Sequence, residues 1–526
     1  MNNCIIITNM TRNQQNERNE VFKAMELIDF CNPILWMDYP DPDVIRVGDT
    51  YYMITTTMHM MPGCPIMKSK DLIHWEMVSY LYDSIEDNPA YRLEKDENAY
   101  ANGQWAASLR YNEGKFYICF DCNDLKKTYI YYSEDIESGH WERHVLEGIY
   151  HDSSLLFDKG RLYIIYNGGD IMITELEPDG SGVKEGGIHQ LLFKTPSQLI
   201  MLRCEGCHAY KIGDYYYLQF IEWPYDGNKR RRQICYRSKE LLGEYERKVI
   251  LDDDMGYQNC GVAQGAMVDT PAGDWYAVLF QDHGAVGRIP QLVPVTWVDA
   301  WPMMGTEGKA PKSLSLNQSS EMTAPLYGSD TFHHTEDKLS HFWQWNHNPD
   351  PSLWSFTEHE GYLRLRTGQV TKNVLQARNT LTQRTKGPTC GMSVCISTEE
   401  LKNGDCAGII ALQSHFGLVG IEVDSKGDQY IVKKSGAPGV DDLEEARLLL
   451  TSKELYLKIF FDFTEGIDLA TFYYSYDNKE WNEVGLPLQM KYTLDHFMGY
   501  RIGLYCFATE KPGGYADFKD FCYLEQ

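Results

Sequence analysis

The sequence predicts an all-β chain, a five-bladed β-propeller followed by a β-sandwich. Three observations predict it. One turn recurs five times, as Gly48-Asp-Thr-Tyr51, Gly114-Lys-Phe-Tyr117, Gly160-Arg-Leu-Tyr163, Gly213-Asp-Tyr-Tyr216 and Gly273-Asp-Trp-Tyr276. Each is flanked by strand-like runs, and glycine supplies the positive φ that a tight hairpin needs. The turns lie roughly 45–65 residues apart, the length of a propeller blade. Secondly, 526 residues are too many for one core, and aromatic residues make up 13%, with 36 Tyr and 12 Trp, a composition suited to β-rich cores and sugar-stacking walls. Thirdly, a second series of short alternating strands begins after residue 328 without the Gly-x-x-Tyr turn.

In chain order, residues 1–27 read as an N-terminal tail, its polar core Thr11–Glu20. The propeller spans 28–318. Blade one covers 28–80 and contains Pro40-Asp41-Pro42, a strand Val44–Val47, the Gly48 turn and the irregular segment Met58-His-Met-Met61. Residues Asp83–Asn98 read as a charged surface excursion. Blade two opens at Gly103-Gln-Trp105; blades three, four and five read as 145–175, 198–225 and 256–280. Lys229-Arg-Arg-Arg232 reads as a solvated turn. The Gly-rich stretch Phe280–Pro290 places His283 and Arg288 where they would cap the channel. Periodicity fades over 305–328, with the linker itself at 319–328, and 329–526 forms the sandwich, including Leu363–Leu365, Gly391–Ile396, Ala407–Leu412, Leu455–Phe463 and Arg501–Tyr505.

A net charge of −26 argues against nucleic acid or an anionic membrane as partner and favours a neutral ligand. The apolar run Cys4–Ile7 is too short for a signal sequence, so the chain as written is expected in the cytoplasm; a start placed elsewhere would make it periplasmic or secreted. Two Cys-x-x-Cys pairs, Cys119/Cys122 and Cys204/Cys207, fall in non-neighbouring blades, and buried free thiols are expected rather than zinc.

The repeat also places the chemistry. Asp41 lies seven residues before its turn glycine, Asp152 eight and Glu205 eight, while the matching places in the other blades fall near Trp105 and Gln264. Near-equal offsets on innermost strands bring three carboxylates to one level of the central channel. Trp36, Met58, His59, Trp105, Gln264 and Arg288 are the expected sugar contacts around them. His283 is a candidate ligand for a central water or ion.

Asn32-Pro-Ile-Leu-Trp-Met-Asp-Tyr-Pro-Asp-Pro, Ser69-Lys-Asp-Leu-Ile-His-Trp75, His151-Asp-Ser-Ser, Glu205-Gly-Cys-His and Val268-Asp-Thr-Pro-Ala-Gly-Asp-Trp275 occur in order. In combination they resemble glycoside hydrolase family 43, over about 28–305, with subfamily 12 the most similar branch. The region after Trp301-Pro302 resembles the β-xylosidase C-terminal module, a jelly-roll of concanavalin A type. The resemblance implies an inverting, exo-acting hydrolase that releases α-L-arabinofuranose from hemicellulose side chains or oligosaccharides. Its alternatives are β-D-xylosidase activity and, more remotely, an endo-arabinanase or a non-catalytic carbohydrate-binding propeller. It implies Asp41 as general base, Asp152 as the acid that tunes the proton donor, and Glu205 as general acid, with no required cofactor. Asp38, where relatives often carry another residue, is a decoy for the base. By module analogy a structural Ca²⁺ is expected near Asp330 and Asp517.

Overall fold

A computed structural model describes residues 26–318 and 325–525. The polar stretch Thr11–Glu20 and most of the 319–328 linker lie outside these residues. Five four-stranded antiparallel sheets follow one another in sequence. Their innermost strands are Asp43–Val47, Ser108–Asn112, Ser154–Asp158, Ile200–Ile212 and Ala263–Asp269. These pack around one axis, and the last closes against the first.

The recurring glycines turn the chain as their sequence demands. Gly48, Gly114, Gly160, Gly213 and Gly273 all have positive φ. In blades two and three the residue before the glycine is also left-handed, Glu113 at 48° and Lys159 at 51°, the geometry of a type I′ hairpin that matches strand twist. Strand interiors carry alternating aliphatic and aromatic residues, so neighbouring blades bury Ile118, Phe120, Leu218, Phe220 and Leu279 between them.

The blades run further than the turns alone suggested. Blade three ends with His189–Lys194, blade four with Glu246–Leu251 and blade five with Trp301–Met304. The first two half face solvent and carry charged residues, which hides them from a hydrophobic reading, and the third is only four residues long. Ser313–Gln318, in the aperiodic stretch, is a strand; it pairs antiparallel with Glu26–Cys31 and ties the two ends of the propeller together.

The sandwich stacks two large antiparallel sheets over a core that includes Trp343, Phe356, Met392, Ile409, Leu457, Phe461 and Leu504. One sheet ends on an unexpected strand: Met60–Met61 of blade one pairs with Trp345 and Asn346. The Met58–Met61 segment, read as an irregular pocket wall, therefore supplies the edge of the sandwich sheet. Residues 83–98, read as a surface excursion, bury Tyr91 in the propeller core with Phe120 and Tyr129, and meet the sandwich through the backbone, where Asn348 N–H donates to Tyr91 O (2.8 Å) and Gln369 Nε2 to Leu93 O (2.8 Å).

The basic turn is also ion-paired rather than solvated. Arg230 meets Asp252 at 2.7 Å, Arg232 meets Glu222 at 2.7 Å, and Arg231 pairs with Asp282.

Candidate active site

Every blade has a left-handed residue before or within its inner strand: Asp41 (φ 52°), Gly103 (91°) and Asp152 (47°) on the approach, Gln264 (62°) near the start and Gly206 (67°) midway. Around Glu205 and Gln264 the strand pairing slips register. Bulges and left-handed residues re-aim side chains out of the alternating pattern. That is how offsets of seven and eight residues deliver carboxylates to the same mouth of the channel. Gly206 has no room for a side chain, since a Cβ there would stand 2.7 Å from the Gln264 amide.

Asp41 is buried, with both oxygens engaged. Thr56 Oγ1 donates to Oδ2 at 2.7 Å, and Arg288 Nη1 lies 3.1 Å from Oδ1. Burial pushes its pKa up, Arg288 opposes this, and Asp152 adds to it. The Arg288 guanidinium also faces Asp282 at 3.4 Å and is sandwiched between the rings of Phe280 and Phe497, each 4.6 Å away.

Asp152 Oδ2 accepts from the Gly206 N–H (3.0 Å), which fixes it beside Glu205. His151 stands 3.8 Å from Asp152 and 3.7 Å from Asp121, ion-pair separations longer than a hydrogen bond. Burial works against charge on His151, but Asp152, Asp121 and Glu205 outweigh it and push its pKa up to about 10. Glu205 has no dedicated cation among the described residues. Burial, then Asp152, raises its pKa to about 7, against opposition from His151, Arg288 and Arg231. The site thus holds one carboxyl protonated near neutrality and another tied to an arginine, a division that suits acid–base work.

His151, Asp152 and Glu205 are the group of described residues whose ligand-type atoms fall within 4.8 Å of one another. An imidazole that binds a proton up to about pH 10 is a poor metal ligand at neutrality.

The structure brings Trp105 and Gln264 to the carboxylates. Trp105 lies 5.8 Å from the His151 ring, and its Nε1 is buried without a protein partner. Met58 pairs its backbone with Gln104, and a Cβ on Gly103 would meet its carbonyl oxygen at 2.5 Å; it shapes the start of blade two.

Other expected contacts go elsewhere. His59 is fully buried with Tyr100, His347 and His496 at the seam with the sandwich, so no face of it is open to a ligand. Trp36 packs on Gly387, where a Cβ would lie 2.2 Å from its ring, and is a seam residue too. His283 stacks on Tyr257 (4.0 Å), bonds Gln281 through Nε2 (2.8 Å), and is pushed down to about 4 by burial, so it stands as a neutral wall residue. Asp330 accepts from Phe332 N, His334 and Trp343 Nε1, whereas Asp517 forms a two-point pair with Arg364. The two serve separate partners, and the charge of Asp517 is met by a cation.

Residues that no sequence pattern singled out complete the site. Phe497, from the sandwich and left-handed at φ 54°, packs 5.3 Å from Trp105 and roofs Arg288. Asp38 is a clamp: Oδ1 accepts from Arg288 N (2.8 Å) and Oδ2 from Gly499 N (2.8 Å), joining the propeller to the loop that carries Phe497. The Pro-Asp-Pro frame marked Asp41, but only the fold shows why Asp38 is buried; burial pushes its pKa up, against the N–H groups of Arg288 and Gly499.

Comparison with known proteins agrees with this geometry. The profile of glycosyl hydrolases family 43 matches residues 30–302, and that of the beta xylosidase C-terminal concanavalin A-like domain matches 329–524. A beta-xylosidase of Formosa agariphila is 30% identical, covering 94% of this chain and 90% of its own length. A non-reducing end alpha-L-arabinofuranosidase of Bacteroides ovatus is 32% identical over 64% of this chain and 65% of its own. A solved structure titled as a bifunctional GH43-CE protein of Bacteroides eggerthii superposes with a TM-score of 0.90 at 42% identity. It covers 95% of this chain, which spans only 64% of the solved one.

Proposed function

The chain belongs to glycosyl hydrolase family 43 and is a glycosidase; from that premise we propose that it is an inverting, exo-acting pentosidase that removes α-L-arabinofuranose from hemicellulose side chains or oligosaccharides. The observation that carries this is the contrast between Glu205, held up to about 7 without a cation of its own, and Asp41, held by Arg288 and Thr56. Glu205 gives its proton to the leaving glycosidic oxygen. Asp41 takes a proton from water, which attacks the anomeric carbon from the opposite face, so C–O bond cleavage and attack occur in one displacement. Asp152 keeps Glu205 protonated by placing a second negative charge beside it. Arg288 orients Asp41. The reaction so written moves protons only through carboxyl groups and water, and calls for no cofactor.

Exo action is supported by the sandwich loop with Phe497 and Tyr492, which covers one side of the channel mouth. A second reading, β-D-xylosidase, is favoured by the names of relatives matched along most of their length. Both sugars are pentoses, and few contacts decide between them. Initial rates on 4-nitrophenyl α-L-arabinofuranoside and β-D-xyloside separate the two. Proton NMR of the first-formed sugar tests the displacement: the anomeric configuration is expected to be inverted, and retention would make Asp41 a nucleophile.

A further inference from the structure

A cleft of about 760 Å³ lies on the outside of blade one, between its outermost strand Glu76–Tyr82 and the sandwich. It shares no residue with the catalytic carboxylates or their partners. The size falls within the roughly 300–1,000 Å³ of small-molecule sites. Its walls include Tyr80 and the partly buried Trp354, whose ring centroid lies 5.2 Å from that of the core residue Trp345.

Three polar atoms in this wall are buried without a hydrogen-bond partner: Ser79 Oγ, Asn348 Oδ1 and Trp354 Nε1. Asn348 is 5% exposed, and its amide orientation is fixed because Nδ2 donates to Glu86 O at 2.7 Å, so the free atom is an acceptor. Orphaned buried polar atoms are costly, and their concentration in one cleft points to a ligand that satisfies them. The three offer an acceptor, a donor and a hydroxyl that can be either, beside aromatic faces.

Several charges of the wall are engaged: Asp87 pairs with Arg92 at 2.7 Å, Arg378 donates to the carbonyls of Asn348 and Pro349, and Asp337 accepts from Phe356 N and Ser355. Asp83 and Lys338, one charge of each sign, also line the cleft. What remains is hydrogen-bonding capacity of both kinds beside aromatic side chains. That is the chemistry that recognises a sugar.

We propose that this seam cleft is a second carbohydrate-binding site, taking a neutral oligosaccharide stretch of the polymer whose ends the channel trims. The polymer's identity rests on the pentosidase reading above; the cleft itself requires only a neutral, hydroxyl-rich chain. By holding the polymer outside the channel, it would raise the local concentration of chain ends.

The test uses the full chain, run in native gels containing soluble arabinoxylan or arabinan, beside assays on nitrophenyl pentosides, which are too small to reach the cleft and channel together. Ser84, exposed at the rim, is changed to Trp to plug the mouth, and Ser79→Ala removes one orphan hydroxyl without steric risk. The parent is expected to be retarded by at least one polysaccharide. Ser84→Trp should lose most of that retardation, and Ser79→Ala part of it, with kcat/KM on the aryl pentoside within about twofold of the parent. Equal retardation of parent and Ser84→Trp would assign polymer binding to the channel and overturn the proposal, as would a parent active on the aryl pentoside but retarded by neither polysaccharide. If Ser84→Trp also loses aryl pentoside activity, Ser79→Ala decides, and its unchanged retardation overturns the proposal. Failure of the pentosidase reading would show separately, as a chain inactive on every aryl pentoside whatever its mobility.

Discussion

Replacing Asp152 by Asn should move the alkaline limb of the pH–rate profile toward acid. Glu205, at about 7, loses its proton through that limb and activity falls as it does. At pH 6 a carboxyl with that pKa is about nine-tenths protonated, whereas one at the ordinary 4.5 is protonated only to about 3%. Asp152 and Glu205 present oxygens within 4.8 Å of each other. At an effective dielectric of about 20, unit charges at that distance repel by about 3.5 kcal/mol, equivalent to about 2.5 pH units. Part of this is offset by His151: its proton is held chiefly against burial by Asp152 and Asp121, and weakening that hold removes a positive charge that steadied ionised Glu205. The net expectation is a downward move of about 1–2 pH units. The substrate must be a natural disaccharide, because an activated aryl glycoside leaves without protonation and hides the acid. The readout is the position of the limb in kcat/KM, not its height, so a general loss of rate does not confuse it. An unmoved limb would mean that Asp152 acts only by orientation through Gly206 N–H; an upward move would refute the electrostatic reasoning.

Glu205→Ala should keep much of its rate on an aryl pentoside and fall by about 10²–10⁴ on a disaccharide, while Asp41→Ala falls on both; equal losses for Glu205→Ala would remove it from the acid role. Arg288→Gln takes away the cation that restrains Asp41, whose pKa burial already raises, so the acid limb should move to higher pH; an unchanged limb would show that Arg288 binds sugar only. Residues 1–320 expressed alone should be insoluble or nearly inactive on small pentosides, since Met60–Met61 loses its strand partner, the Tyr91 and Leu93 carbonyls lose their donors and Phe497 is absent; a soluble fragment with full activity would refute this.

The three carboxylates were legible because each blade repeats a local pattern, and offsets from Gly48, Gly160 and Gly213 survive as heights along the channel. The innermost hairpins were legible for the same reason. Residues that act across the fold left no such mark. Phe497 and Gly499 meet Arg288 and Asp38 from the far end of the chain, and Arg231 reached the site from a turn whose charge run suggested solvent. Met60–Met61 is two residues long, too short for alternation to show. His59 was drawn to the pocket by its neighbours in sequence, yet the strand beside it turns it into the seam.

The left-handed ring has a consequence for how this enzyme can change. An L-residue other than glycine pays about 1–2 kcal/mol for that backbone, and aspartate is among the few that tolerate it. Asp41 and Asp152 add the desolvation of a carboxyl to this strain. Glycine at either position would relieve both, but it would strand buried Arg288 without its carboxylate, or Gly206 N–H without its acceptor, while the chemistry vanished. The strained backbone is therefore held in place by the same ion pair and hydrogen bond that serve the site. The catalytic level of the channel is where robustness and activity draw on the same residues.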